Sequence, residues 1–64
     1  MITVNGEGHE LPPMSVASLL AQLRVPSRGV AVALNGEIVT RSTWESVVVE
    51  DGDVVEILTA AAGG

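Results

Sequence analysis

The sequence has no cysteine, no lysine, no phenylalanine and no tyrosine. Without cysteine there are no disulfides, no thiolate metal sites and no thiol nucleophile. Without lysine, three arginines face eight acidic residues and the net charge is −5. That balance argues against nucleic acid, where affinity comes from basic side chains neutralising phosphates. It argues equally against an anionic membrane surface. The acidity itself has two readings: it aids solubility, or it suits a partner with a basic docking face. No apolar run is long enough to span a bilayer. Met1 to Val4 has neither the basic region nor the apolar stretch of a signal peptide. The chain is therefore expected in the cytoplasm. The one histidine, His9, cannot hold a metal alone.

A chain of 64 residues is one domain, short enough to be marginal in stability. With disulfides and metals excluded, regular local structure has to compensate, helped or not by a partner. The patterning supplies it. Ile2-Thr3-Val4 starts a strand, Asn5-Gly6-Glu7-Gly8 reads as a turn, and Glu10-Leu11 pairs back as a short edge strand. Pro12-Pro13 ends that pairing, because proline has no N–H to donate. Val16, Leu19, Leu20 and Leu23 fall at i, i+3, i+4 and i+7, one face of a helix. Ser15 is its expected N-cap, and Pro26 and Gly29 its expected stop.

Val30 to Leu34 and Glu37 to Thr40 form a hairpin about Asn35-Gly36. Arg41 to Glu45 reads as a short helical turn capped by Ser42 or Thr43. Val47 to Val49 is apolar and short, closer to extended chain than to a full strand. Glu50 to Asp53 is a turn, and Val54 to Leu58 the last strand. The hairpins cannot close a core alone, so the helix must lie across one sheet face.

The expected fold is α+β, a β-grasp or ubiquitin-like arrangement. It has a mixed sheet of about five strands, with the first and last strands central and parallel and one main helix on one face. The expected core is Ile2, Val4, Leu19, Leu23, Val32, Leu34, Val39, Trp44, Val48, Val55 and Ile57. Val54, Glu56 and Leu58 then share the outward face of the last strand. They are either scattered surface residues or a docking patch on a sheet face that no helix covers. The domain is expected over 1–58, with a flexible tail over 59–64.

That tail ends Ala60-Ala61-Ala62-Gly63-Gly64. Glycine makes up about 7% of average sequences, so a terminal pair arises by chance in only about 0.5% of chains. Six residues reach about 20 Å when extended. Small side chains pass a narrow channel, and an enzyme can close around glycine backbone that lacks Cβ. Ala62 and Gly63 suit threading, and Gly64 suits delivery of its carboxylate to another protein's active site. A carboxylate reacts with a nucleophile only after gaining a leaving group, as adenylation by ATP provides. The chain has no Gly-Lys-Ser/Thr phosphate loop, no Ser/His/Asp set and no convincing acid/base pair. The activating enzyme must be another protein, and this chain reads as a carrier and not an enzyme.

The segment Ala33-Leu34-Asn35-Gly36-Glu37-Ile38-Val39, followed by Arg41, Trp44, Asp51-Gly52-Asp53 and Gly63-Gly64, resembles the sulfur carrier of thiamine biosynthesis, the ThiS family. Ser15-Val16 through Leu19-Leu20 and Leu23 fit as well, so the resemblance covers the whole chain. It implies that a ubiquitin-activating-like adenylyltransferase uses ATP to adenylate the Gly64 carboxylate, while this chain binds no cofactor. Sulfur from a cysteine desulfurase route then makes a thiocarboxylate, and thiazole synthase takes that sulfur. The missing cysteine agrees, because the sulfur rides on the terminal carbonyl carbon. Nothing follows Gly64, so no proteolytic maturation is expected. One departure is Thr40, where many members have proline.

Other carriers of the same fold remain alternatives, such as the small subunit of molybdopterin synthase or a carrier for cysteine synthesis. So do an isopeptide-forming protein modifier and a plain binding module with an inert tail. The short length and the Asn35-to-Trp44 segment favour the thiamine type.

Overall fold

The computed structural model describes residues 1–59. In order it has β1 (Ile2–Val4), β2 (Glu7–His9), β3 (Met14–Ser15), α1 (Val16–Gln22), β4 (Val30–Leu34), β5 (Glu37–Val39), a 3-10 turn (Arg41–Thr43), β6 (Val48–Val49) and β7 (Val54–Thr59). Five strands form one mixed sheet in the order β2-β1-β7-β4-β5. The first and last strands, β1 and β7, are adjacent and parallel, with Val4 opposite Val55. The other pairings in that sheet are antiparallel. With one helix against this sheet, the expected β-grasp architecture is the one observed.

The helix forms where its apolar period and its cap coincide. Ser15 Oγ accepts from the Ser18 N–H at 3.0 Å. The two N–H groups before that are also satisfied: Val16 donates to Val47 O and Ala17 to Trp44 O. Tertiary carbonyls thus close a helix end that water would otherwise solvate. The far end stops sooner than Pro26 and Gly29 predict. Arg24 adopts φ 60°, its N–H donates to Ala21 O, and Val25 N–H donates to Leu20 O. This is a Schellman ending with arginine at the left-handed position.

Ten side chains make the core: Ile2, Val4, Val16, Leu19, Leu20, Val32, Trp44, Val49, Val55 and Ile57. Each apolar side chain fully withdrawn from water contributes roughly 1.5–3 kcal/mol. Leu23, Leu34 and Val39, expected inside, are half-buried and pack on its rim. Val48 was expected inside but is exposed, and Val49 is fully buried in its place. The reason is register: β6 pairs with β3, Met14 opposite Val49 and Ser15 opposite Val48. A run of three valines carries no alternation from which to read that register. Val16 and Leu20 complete the helix face that the i, i+3, i+4 spacing marks.

Two further expectations need correction. The second strand is Glu7–His9 and not Glu10-Leu11. Asn5 and Gly6 take φ 49° and 84°, so a two-residue turn places Glu7 directly opposite Val4. The helical turn after β5 is 3-10, and neither Ser42 nor Thr43 caps it. Its N-cap position is Thr40, which makes no side-chain cap bond; Thr43 Oγ1 instead donates back to Thr40 O at 2.8 Å. Thr40 has φ −68°, a value that proline also adopts.

Candidate functional site

β7 presents one face to the core and the other to solvent. Val55 and Ile57 are buried, while Val54, Glu56 and Leu58 are exposed. The three residues expected on an outward patch therefore do share one face. Register then assembles the rest of it. Ala31 lies opposite Leu58, and Ala33 lies between Glu56 on β7 and Ile38 on β5. Leu58 is 69% exposed and Ile38 is 70% exposed. Ile38 was not singled out from the sequence, yet the signal was there. A two-residue Asn35-Gly36 turn pairs Val32 with Val39 and Ala33 with Ile38. Once Val32 points inward, Ile38 must point outward.

The small side chains of Ala31 and Ala33 leave this face hollow. Together with Gly36, Ile38, Glu56 and Leu58 they line a depression of about 250 Å³. A second, more open depression of about 470 Å³ lies at the tail end of β7, lined by Gly29, Val30, Ala31, Arg41, Leu58 and Thr59. Arg41 is held there by two contacts. Its Nη2 donates to Ser27 O, and its guanidinium lies 5.2 Å from the centre of the Trp44 ring, a cation–π distance. Trp44 is itself fixed, buried in the core with Nε1 donating to Val39 O at 3.0 Å.

The opposite end of β7 is acidic. Asp53 precedes the strand, and its carboxylate accepts from the Glu50 N–H at 2.9 Å and from Asn35 Nδ2 at 3.1 Å. The Glu50 N–H, then the Asn35 amide, hold its carboxyl below the usual aspartate range. Nearby, the Met1 ammonium pairs with Asp51.

β7 runs one residue past Leu58, because Thr59 pairs with Val30. Ala62, Gly63 and Gly64, the expected threading and sulfur-carrying residues, lie outside the described residues. What the structure does supply is the root of that segment, at the edge of an open sheet face. Among the described residues no group of three or more histidines or carboxylates could hold a metal, and no helix is long and apolar enough to cross a membrane.

Comparison with known proteins supplies what geometry alone does not. The ThiS family profile matches residues 2–64. The chain is 40% identical over 50 residues to the Escherichia coli sulfur carrier protein ThiS, covering 78% of this chain and 76% of that one. The chain belongs to the ThiS family. It is thereby a small carrier protein of sulfur for thiamine biosynthesis. The crystal structure of the thiamine biosynthesis protein ThiS from Geobacter metallireducens superposes with a TM-score of 0.79 at 37% identity, over 98% of this chain and 97% of that one. A thiazole synthase from Paramagnetospirillum magneticum is also similar, 44% identical over 64 residues. The chain spans only 20% of that protein's length.

Proposed function

We propose that Gly64 is the residue on which the sulfur travels. The observation that carries this reading is the extent of the family match, which runs through residue 64 and so includes Gly63-Gly64. A ubiquitin-activating-like adenylyltransferase binds the carrier and ATP. A Gly64 carboxylate oxygen attacks the α-phosphorus, pyrophosphate leaves, and the acyl group is joined to AMP. A cysteine desulfurase route supplies sulfur as a protein persulfide; its outer sulfur adds to the carbonyl carbon and AMP departs. A thiol reductant then cleaves the S–S bond of the resulting acyl disulfide, releasing the sulfur donor's thiol. The product is a thiocarboxylate at Gly64. This chain contributes no catalytic group and binds no cofactor; ATP belongs to the activating partner. Ala62 and Gly63 have little or no side chain to obstruct a channel, so they pass into that partner's site. The need for ATP suits a cytoplasmic setting.

Thiazole synthase is the acceptor in this reading. The Paramagnetospirillum magneticum protein of that name carries a segment similar to this chain within one polypeptide, which supports a working pair of carrier and synthase. The open face with Val54, Glu56, Leu58 and Ile38 is the surface that docks, since it lies beside the root of the tail and has no helix over it.

Intact mass after incubation with the adenylyltransferase, ATP, a sulfur donor and a thiol reductant tests the reading. The expected result is a gain equal to sulfur replacing one oxygen, located at Gly64. Deletion of Gly64 should abolish that gain while thermal unfolding stays unchanged. Full sulfur acceptance by the deletion variant would refute the assignment.

A further inference from the structure

The exposed face is patterned by charge as well as by apolar surface. The two depressions share one cross-strand row, Ala31 with Leu58. On one side of Leu58 the smaller depression is lined by Glu56, and on the other the larger one is lined by Arg41. Leu58 therefore stands between an acidic hollow and a basic one. Neither charge is neutralised internally: among the described residues the one ion pair joins Met1 to Asp51, at the far end of β7. The basic hollow is the one at the tail root, where Thr59 ends β7. Arg24 and Arg28, the remaining cations of the chain, lie in the loop that leads into Val30, the partner of Thr59.

An apolar patch alone can be covered in either of two opposed directions. For a carrier only one direction sends residues 60–64 into the partner's active site. Apolar contact does not tell the two apart, but charge does, because docking in the wrong direction sets like charges together. Arg41 is suited to such a role. Its stem and plane are held by Ser27 O and Trp44, so little side-chain entropy is lost on pairing. A guanidinium also has five donors, of which Ser27 O takes one.

We propose that the activating partner docks across this face with a carboxylate opposite Arg41 and a basic side chain opposite Glu56, astride Leu58, and that this pair sets the direction in which the tail is presented. The proposal rests on the carrier reading above and deepens it. Arg41 and Glu56 act as positioning residues, remote from the reacting carbonyl. They govern how often the complex forms correctly and not how fast the bound carboxylate reacts.

The test is steady-state adenylation of the full chain by its adenylyltransferase, followed as pyrophosphate release at several salt concentrations. Glu56→Arg and Arg41→Glu should each raise the KM for the carrier by about tenfold, leaving kcat within about twofold. The paired neutral variant Glu56→Gln/Arg41→Gln should lose most of the salt dependence of KM that the unsubstituted chain shows. Glu56 is exposed on a strand, so Glu56→Arg keeps the fold and decides the matter even if Arg41→Glu loosens the Trp44 contact; thermal unfolding checks both. A KM for Glu56→Arg within about twofold of the unsubstituted chain, or an effect on kcat alone, overturns the proposal. Absence of pyrophosphate release with the unsubstituted chain would instead overturn the carrier reading itself.

Discussion

The two Asn-Gly hairpins share a backbone and differ in what their asparagine side chains hold. Asn5-Gly6 and Asn35-Gly36 have φ values within 2° of each other, 49° and 84° against 51° and 86°. Both are two-residue turns that match the twist of their strands. Asn5 sits where β1 must leave β7. Its Oδ1 accepts from Ile57 N–H at 2.8 Å and its Nδ2 donates to Ile57 O at 3.1 Å, both part-buried. The side-chain amide thus stands in for the next residue of the parallel ladder. Asn35 sits at the exposed start of β7, where its Oδ1 accepts from Val54 N–H and its Nδ2 reaches Asp53. The turn is written in the dipeptide; the partner of the side chain is set by which strand lies alongside.

That contrast can be broken by substitution. Asn5→Ala removes two part-buried hydrogen bonds and strands both Ile57 backbone groups, so about 2 kcal/mol of stability should go, or roughly 10 °C in Tm for a domain this small. A loss equal to that of Asn35→Ala, where water replaces the exposed partners, would refute the distinction. Next in size, Gly6→Ala and Gly36→Ala should each cost about 1 kcal/mol, and nearly the same amount. Both glycines hold positive φ and neither has an atom within 4 Å of an added Cβ, so only backbone strain is felt. Denaturant unfolding of the pair measures this, and a clear inequality would show that the turns differ in backbone too.

The smallest effect concerns pH. Asp53 has its folded pKa lowered from 3.8, so its contribution is present above that value and is lost as pH falls through the folded pKa. Unfolding measured from pH 6 to pH 2 should therefore show a shallower acid limb for Asn35→Ala, which loses the amide facing Asp53, than for Asn5→Ala. Identical acid limbs would remove Asp53 from the comparison.

Strands and helix were legible where periodicity ran long enough. Val16 to Leu23 covers about two helical turns with apolar residues at i, i+3, i+4 and i+7, and in Val54 to Leu58 the single charge, Glu56, sets the facing. Both elements are present with the expected faces. β3 was not foreseen and β6 was read only as extended chain, because two residues display no period. They pair with each other, Met14 opposite Val49 and Ser15 opposite Val48, a long-range contact that no local pattern encodes. The candidate site divides in the same way. Glu56 and Leu58 were readable from one strand. Ile38 needed the hairpin register, and Arg41 read as part of a helical turn. Its position beside Leu58 and Thr59 depends on β4 lying between β5 and β7.

The sequence by itself determined that this chain has no thiol nucleophile, no disulfide and no thiolate metal site, because it has no cysteine. It also determined the turns, because Asn-Gly supplies positive φ whatever surrounds it. The tertiary structure decided which side chains share the open face beside the tail root. Strand order and register are set by long-range pairing, and a shift of one residue would send Glu56 and Leu58 inward and the core residues Val55 and Ile57 out to solvent.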